Sequence, residues 1–128
     1  RDRVLQLARS NGRIAIVSFH DFSGTPEATA LDDVAARIRG CGADVIKVAA
    51  AARSLDDLVR LLEFTLRHRH EPLVTMSIGP LGTISRVFFP LVGSRISFAY
   101  HRTPSAPGQM PLAELHAELS RYYPDFGR

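Results

Sequence analysis

The chain has 128 residues, of which 45% are hydrophobic and 23% charged, and its net charge is +3. This balance is typical of a folded globular domain and excludes a disordered chain. No apolar run approaches the roughly 20 residues of a membrane span, and residues 1–5 lack the apolar core of a signal peptide. We therefore expect a cytoplasmic protein without membrane contact. The single cysteine, Cys41, excludes an internal disulfide and gives no metal-ligand spacing.

The basic residues argue against nucleic-acid binding despite the pI of about 9.6. They are spread along the chain, and no tract interleaves them with aromatic residues. Strong salt-dependent retention on DNA would be the signature of that rival function. All of them are arginine except Lys47, which lies inside an apolar run. A single lysine among arginines suggests a function at this position that needs an amine and that a guanidinium cannot perform.

Helical and strand patterns alternate along the chain. Helices are predicted over residues 1–10, from Thr25 as cap to about 40, from Ser54 as cap through residue 66, over about 83–89 until Pro90 stops it, and from Pro111 to about 122. Strands are predicted over residues 14–18, 44–49, 73–76 and 95–99, and the first reads as buried on both faces. The repeat of roughly 25 to 30 residues predicts an α/β fold with parallel strands. The repeat fits either a small doubly wound sheet or a barrel. A complete barrel needs about 250 residues, so this chain could supply only half of one.

Four functional groups follow the four predicted strands. His20 comes after the first, Lys47 sits at the end of the second, Arg86 follows the third, and Gln109 lies in the loop after the fourth. In α/β proteins the carboxyl ends of parallel strands gather the functional side chains. A base, an amine, a guanidinium and an amide are therefore predicted to share one face as a candidate active site.

Each of these side chains has a catalytic and a structural interpretation. Apolar neighbours would lower the pKa of Lys47, so that a neutral amine could attack a carbonyl and form an imine that acts as an electron sink; the alternative is a lysine that extends to water. His20 suits proton transfer near neutral pH, or is a structural histidine. Arg86 could clamp a carboxylate or form a surface ion pair. Asp21 is assigned no catalytic role, because it cannot easily orient the ring of its own neighbour.

Four segments, taken in order, resemble those of the type I 3-dehydroquinate dehydratases. They span residues 18–26 with the histidine, 44–49 with the lysine, 75–86 with the arginine, and 105–109, which is similar to the loop that covers the substrate. The spacings of 27 positions from His20 to Lys47 and of 39 from Lys47 to Arg86 also agree. Four ordered motifs are far more specific than any one of them.

The resemblance implies a lyase of the shikimate pathway of aromatic amino acid biosynthesis, built as strands 5–8, the C-terminal half, of a (β/α)8 TIM barrel. Lys47 would form an imine with the ketone of 3-dehydroquinate, and His20 would remove the C2 proton before water is lost to give 3-dehydroshikimate. No metal or diffusible cofactor is implied. The residues implied to bind or surround the substrate are Arg86, Ser105, Gln109, Met76 and Phe98.

The resemblance also implies what surrounds the chain. Ile78 stands where relatives often carry methionine, which conserves apolar volume. The first four βα units of the family are not in this sequence, so residues 1–128 are expected to be a partial domain that needs the missing N-terminal half or a second copy, and a homodimer is a further expectation. Residues 122–128 resemble the junction to a shikimate dehydrogenase domain in bifunctional fusions. The rival functions are a catalytically inactive metabolite-binding relative and a Schiff-base aldolase.

Overall fold

The computed structural model describes residues 2–126, which form an α/β fold. Arg1 of the predicted first helix and the last two residues of the tail lie outside this range. No helix among residues 2–126 is long and apolar enough to cross a bilayer. The elements in chain order are Asp2–Ser10 (α1), Ile16–Asp21 (β1), Ala28–Gly40 (α2), Val45–Ala51 (β2), Leu55–Arg67 (α3), Leu73–Ile78 (β3), a 3₁₀ turn at Pro80–Gly82, Ser85–Val92 (α4) and Leu112–Tyr122 (α5).

The three strands form one parallel sheet in the order β1-β2-β3, which confirms the predicted α/β class. The register sets His20 beside Ala49, and Ala49 beside Met76. Lys47, two residues before Ala49 on β2, lies beside Val74 of β3. Since side chains two positions apart point to the same face of a strand, His20 and Lys47 lie on one face, on neighbouring strands.

The two faces of the sheet carry separate cores. The outer face packs beneath α2 and α3, through residues such as Val48, Leu31 and Phe64, each of which is 0% exposed. The inner face carries a smaller cluster of Ala49, Val74, Met76 and Ile78, against which Phe98 packs. The inner face also holds the predicted catalytic groups His20 and Lys47.

The prediction that the first strand is buried on both faces is wrong. β1 alternates between exposed and half-buried residues, and Ile14, just before it, is 76% exposed. β1 is the edge strand, with β2 on one side and no described strand on the other, so its apolar residues lack a neighbour on that side. β3 has all six of its residues buried and matches the pattern of a strand covered on both faces.

The predicted fourth strand over residues 95–99 is also wrong, because these residues form no strand and only isolated bridges, at Ser94 and Tyr100, flank them. The bridge at Ser94 pairs with Leu73. The Ser94 hydroxyl accepts a hydrogen bond from the Thr75 backbone N–H at 2.9 Å and donates to the Thr75 carbonyl at 3.1 Å. The Ser94 side chain therefore makes the hydrogen bonds to Thr75 that the backbone of a fourth strand would otherwise make. The segment after Ser94 runs beside β3 without forming a strand.

Ser94→Ala is expected to destabilise the fold. It removes the hydroxyl that accepts from the buried Thr75 N–H, and an unsatisfied buried donor costs roughly 1–3 kcal/mol. The free energy of unfolding from urea denaturation measures the effect, with the exposed Ser10→Ala as control. Equal stability of the two variants would contradict the account of Ser94.

Thr25 does not cap α2, contrary to the prediction. The helix begins at Ala28, and its N-cap, Glu27, makes no side-chain cap hydrogen bond. The Thr25 hydroxyl instead donates to the Ala51 carbonyl at 2.9 Å and is buried. This bond ties the β1–α2 loop to the end of β2. The predicted cap of α3 is confirmed, because Ser54 forms a reciprocal capping box.

Pro90 lies inside α4 and does not stop it, so the predicted helix end is wrong. A proline in a helix leaves the carbonyl four residues earlier without its N–H partner. That carbonyl belongs to Arg86, and it accepts a hydrogen bond from the Ser97 hydroxyl at 2.8 Å. The replacement partner explains why the helix continues to Val92, and it joins α4 to the segment after it.

Candidate active site

A cavity of about 220 Å³ opens on the inner face of the sheet. The structure brings together there all seven residues that the sequence nominated for catalysis or substrate contact. Its lining consists of His20, Phe22, Lys47, Ala49, Met76, Ile78, Arg86, Phe98, Ser105, Ala106 and Gln109. The predicted convergence of a base, an amine, a guanidinium and an amide on one face is thus seen as a single concave site.

Lys47 is the third residue of β2, so it lies within the strand rather than at its end as predicted. The strand continues to Ala51 because the small apolar residues after the lysine pair on both sides. The Lys47 Nζ lies 4.3 Å from the centre of the Phe98 ring. Burial, and then the positive charge of Arg86, lower the pKa of Lys47. No ion pair to Lys47 occurs among residues 2–126, so a share of neutral amine is favoured at this position.

His20 is the fifth residue of β1 and lies at the exposed rim of the cavity. Its ring is parallel to that of Phe22, at an angle of 7° and a centroid distance of 6.0 Å. Partial desolvation, and then the charge of Lys47, lower the pKa of His20. The ring is therefore held in its neutral form, in which it can accept a proton, to a lower pH than a free histidine.

Arg86 is only 2% exposed, which excludes the surface ion pair. Its Nε donates to the Gly108 carbonyl at 2.9 Å, and its Nη1 donates to the Phe98 carbonyl at 3.2 Å and contacts the Met76 sulfur at 3.5 Å. Burial lowers the pKa of Arg86. No carboxylate among residues 2–126 pairs with this guanidinium, and a buried cation without a counter-ion fits an anionic ligand.

The segment that resembles a covering loop folds on itself over the cavity. The Gln109 side-chain carbonyl accepts hydrogen bonds from the Ser105 N–H at 2.7 Å, from the Ser105 hydroxyl at 3.1 Å and from the Ala106 N–H at 3.3 Å. The oxygen of this amide thus organises the loop. Its Nε2 group is left as the donor that could reach a ligand.

Sequence reasoning missed several residues of the lining, of which Phe22 is the most informative. Phe22 stood next to the nominated histidine, and its aromatic side chain was the available signal. Ala49, Ile78 and Ala106 also line the cavity, and the alternation of β2 and β3 could have placed the first two on the face of Lys47. Asp21 accepts hydrogen bonds from the Ser23 N–H and hydroxyl, at 2.8 and 2.6 Å, so it shapes the loop rather than the cavity.

Residues 2–126 contain no group of three or more His, Cys, Asp or Glu side chains that could hold a metal ion. The half-buried Cys41 thiol donates to the Ile38 carbonyl at 3.0 Å, on the far side of the sheet from the cavity lining. The ionisable groups of the cavity are one lysine, one histidine and one arginine. This set can form an imine, move a proton and hold an anion.

A family profile described as type I 3-dehydroquinase matches residues 1–123. Among curated relatives, a 3-dehydroquinate dehydratase of Geobacillus thermodenitrificans is 42% identical over an alignment of 123 residues that covers 91% of this chain and 47% of the relative. One from Aromatoleum aromaticum is 37% identical, over 92% of this chain and 46% of the relative. The chain thus spans about half the length of the curated relatives that it matches.

Solved structures agree in fold. The 3-dehydroquinate dehydratase of Geobacillus kaustophilus superposes with a TM-score of 0.89 at 35% identity, covering 99% of this chain and 50% of that one. The type I enzyme of Clostridium difficile, solved with covalently modified comenic acid, gives 0.87 at 32% identity, with 94% and 49% coverage. Dehydroquinate dehydratase and shikimate dehydrogenase from S. pombe gives 0.69 at 25% identity, covering 95% of this chain and 24% of that one. The chain belongs to the type I 3-dehydroquinase family.

Proposed function

We propose that this chain supplies the imine-forming half of a 3-dehydroquinate dehydratase, a hydro-lyase that converts 3-dehydroquinate to 3-dehydroshikimate. The observation that carries the proposal is Lys47, whose amine shares a small cavity with His20 and Arg86 and has its pKa lowered by burial and by Arg86. A ketone that bears a carboxylate fits this pair, because the amine can attack the carbonyl while the guanidinium holds the anion.

The proposed reaction runs through an imine on Lys47, with His20 as the proton carrier. The neutral Lys47 amine adds to the C3 ketone, and the addition product takes up one proton from solvent and loses water, which leaves a positively charged imine. Neutral His20 takes the C2 proton, and the electron pair of that C–H bond moves into the imine to give an enamine. The enamine then expels the C1 hydroxyl, which leaves as water with the proton returned by His20. This step leaves a conjugated, positively charged imine. Its hydrolysis consumes one water and releases the lysine amine, the product and the proton taken up at the start. The Lys47 imine thus serves as the electron sink, and no cofactor takes part.

The remaining nominated residues would bind the substrate. Arg86 would hold the carboxylate with the guanidinium edge that faces the cavity. Ser105 and the Nε2 group of Gln109 would contact substrate oxygens from the loop that excludes water. Met76 and Phe98 would form apolar walls of the substrate pocket.

We propose that residues 1–128 form one partial domain, equivalent to strands 5–8 of a (β/α)8 barrel, and that the other half of the barrel completes the site. The free edge of β1 supports this, together with the exposed side chains of Ile14 and Ile16 there, because an unpaired strand edge presents backbone groups with which another strand can pair. The occupant would be the family's N-terminal half or a second copy of the chain. By analogy with the S. pombe protein, a shikimate dehydrogenase unit could be joined to the same polypeptide.

Reconstitution tests the proposed function. The chain is co-expressed with the N-terminal half of the Geobacillus thermodenitrificans relative, and the absorbance of the conjugated product is followed after addition of 3-dehydroquinate. We expect turnover from the pair and none from the N-terminal half alone. A folded pair that binds the substrate without turning it over would contradict the lyase and favour the inactive metabolite-binding relative. Turnover of a sugar phosphate instead would favour the aldolase.

A further inference from the structure

Gly108, in the covering loop of residues 105–109, packs against the backbone of Gly79 after β3. Its φ is +82°, and a Cβ placed there would overlap the Gly79 carbonyl oxygen and lie 2.9 Å from the Gly79 carbonyl carbon. Cβ atoms essentially never approach other heavy atoms so closely. The obstacle is backbone, which cannot swing aside as a flexible side chain could. Only glycine therefore fits at this position while the loop holds its observed place.

A hydrogen bond fixes the same contact from the neighbouring residue. The Gly79 N–H donates to the Pro107 carbonyl at 3.0 Å. Gly79 itself has a φ of +100°, so the turn that receives the loop is specialised as well. The loop is thus seated on the end of β3 by one backbone hydrogen bond and one close backbone approach.

The seated loop holds the guanidinium of Arg86. The Gly108 carbonyl accepts from Arg86 Nε at 2.9 Å, and the Phe98 carbonyl accepts from Nη1 at 3.2 Å. These two oxygens come from different segments and fix the plane of the guanidinium between them. Bidentate binding of a carboxylate depends on that plane, so displacement of the loop would turn the guanidinium away from its ligand.

We propose that Gly108 is a positioning residue for carboxylate recognition. Its missing side chain lets the loop seat on Gly79, and its carbonyl then aims Arg86 into the cavity. The identity of the carboxylate ligand rests on the proposed function, whereas the link from Gly108 to Arg86 does not. A larger residue at position 108 is expected to unseat the loop and release the guanidinium while leaving the sheet intact.

Amide and side-chain exchange on the isotope-labelled chain, paired with the unlabelled N-terminal half of the Geobacillus thermodenitrificans relative, tests the link without any substrate. In Gly108→Ala, we expect the Gly79 N–H to exchange with solvent at least about tenfold faster, because it loses its hydrogen bond and the packing around it. We also expect the Arg86 Nε–H to lose its protection from exchange. The Thr75 N–H, bonded to Ser94, serves as the internal control for folding and should keep its protection.

Gly12→Ala is the matched control, because Gly12 also has a positive φ, of +60°, but nothing within 4 Å of its Cβ position. This variant carries the backbone strain without the clash. Protection of Gly79 and of Arg86 Nε–H that is equal in Gly108→Ala and Gly12→Ala would overturn the proposal. Loss of Thr75 protection in Gly108→Ala would overturn it too, because the residue would then be needed for the sheet rather than for the loop.

The reconstituted barrel supplies the functional readout. Because Arg86 is expected to hold the ground-state substrate, Gly108→Ala should raise the 3-dehydroquinate concentration for half-maximal imine trapping by about tenfold, while the maximal amount trapped stays the same. An unchanged half-maximal concentration would overturn the proposal. If the unsubstituted barrel traps nothing, the proposed function fails, and the exchange of Gly79 and Arg86 Nε–H still decides the positioning role.

Discussion

Replacing Lys47 by alanine or by arginine is expected to lower turnover in the reconstituted barrel by about 10⁴-fold or more, the range seen when a covalent nucleophile is removed. The physical reason is that an imine needs a neutral primary amine. Alanine offers no nitrogen, and the guanidinium of arginine stays protonated at any working pH. Lys47→Arg is the sharper variant because it retains the positive charge. The measurement is the rate of rise of product absorbance.

Arg53→Ala is the matched control for Lys47. Arg53 is an exposed cation at the end of the same strand and is not part of the cavity lining. Its removal is expected to change turnover less than twofold, since an exposed charge contributes little. Turnover in Lys47→Arg that stays within tenfold of the unsubstituted barrel would contradict covalent catalysis by this lysine.

His20→Gln is expected to reduce kcat by about 10²- to 10⁴-fold, the usual contribution of a general acid–base group. The imine should still form, more slowly, because Lys47 is intact. We therefore expect adduct to accumulate under borohydride trapping in this variant, whereas product scarcely appears. His70→Gln is the control, because His70 is an exposed histidine outside the cavity lining.

The pH profile identifies the same residue. His20 must be neutral to accept the C2 proton, and partial desolvation together with the charge of Lys47 lowers its pKa from 6.5. The acid limb of kcat, which reports the substrate complex in which the lysine has already reacted, should therefore lie below pH 6.5, with activity lost as the pH falls through the lowered pKa of His20. An acid limb above that value, or one that is unchanged in His20→Gln, would contradict its role as the base.

The sequence predicted the parts of the fold that depend on local patterns. Periodic apolar residues and the Ser54 capping box defined the helices, and apolar runs located β2 and β3. The errors arose where a tertiary contact overrides the pattern. Residues 95–99 have strand-like composition, but the Ser94 side chain occupies the backbone groups of Thr75 that a ladder would use. Pro90 remains in α4 because Ser97 supplies the missing donor.

The sequence predicted which residues form the candidate site, but not the contacts that hold their side chains in place. The order of βα units was enough to gather His20, Lys47 and Arg86, because parallel strands put their carboxyl ends at one edge. The sequence could not show that Arg86 lacks a carboxylate partner in the described chain, or that Gly108 touches Gly79. Those facts depend on contacts between segments far apart along the chain.

The measurement that tests the central claim most directly is borohydride trapping in the reconstituted barrel, followed by peptide mass spectrometry. We expect a reduced 3-dehydroquinate or 3-dehydroshikimate adduct on the peptide that contains Lys47, and none in Lys47→Arg. Lys47 is the only lysine of the chain, so the peptide assignment is unambiguous within these 128 residues. A reconstituted barrel that produces dehydroshikimate with no adduct on that peptide, or with the adduct on the N-terminal half, would contradict the assignment of Lys47 as the imine-forming residue.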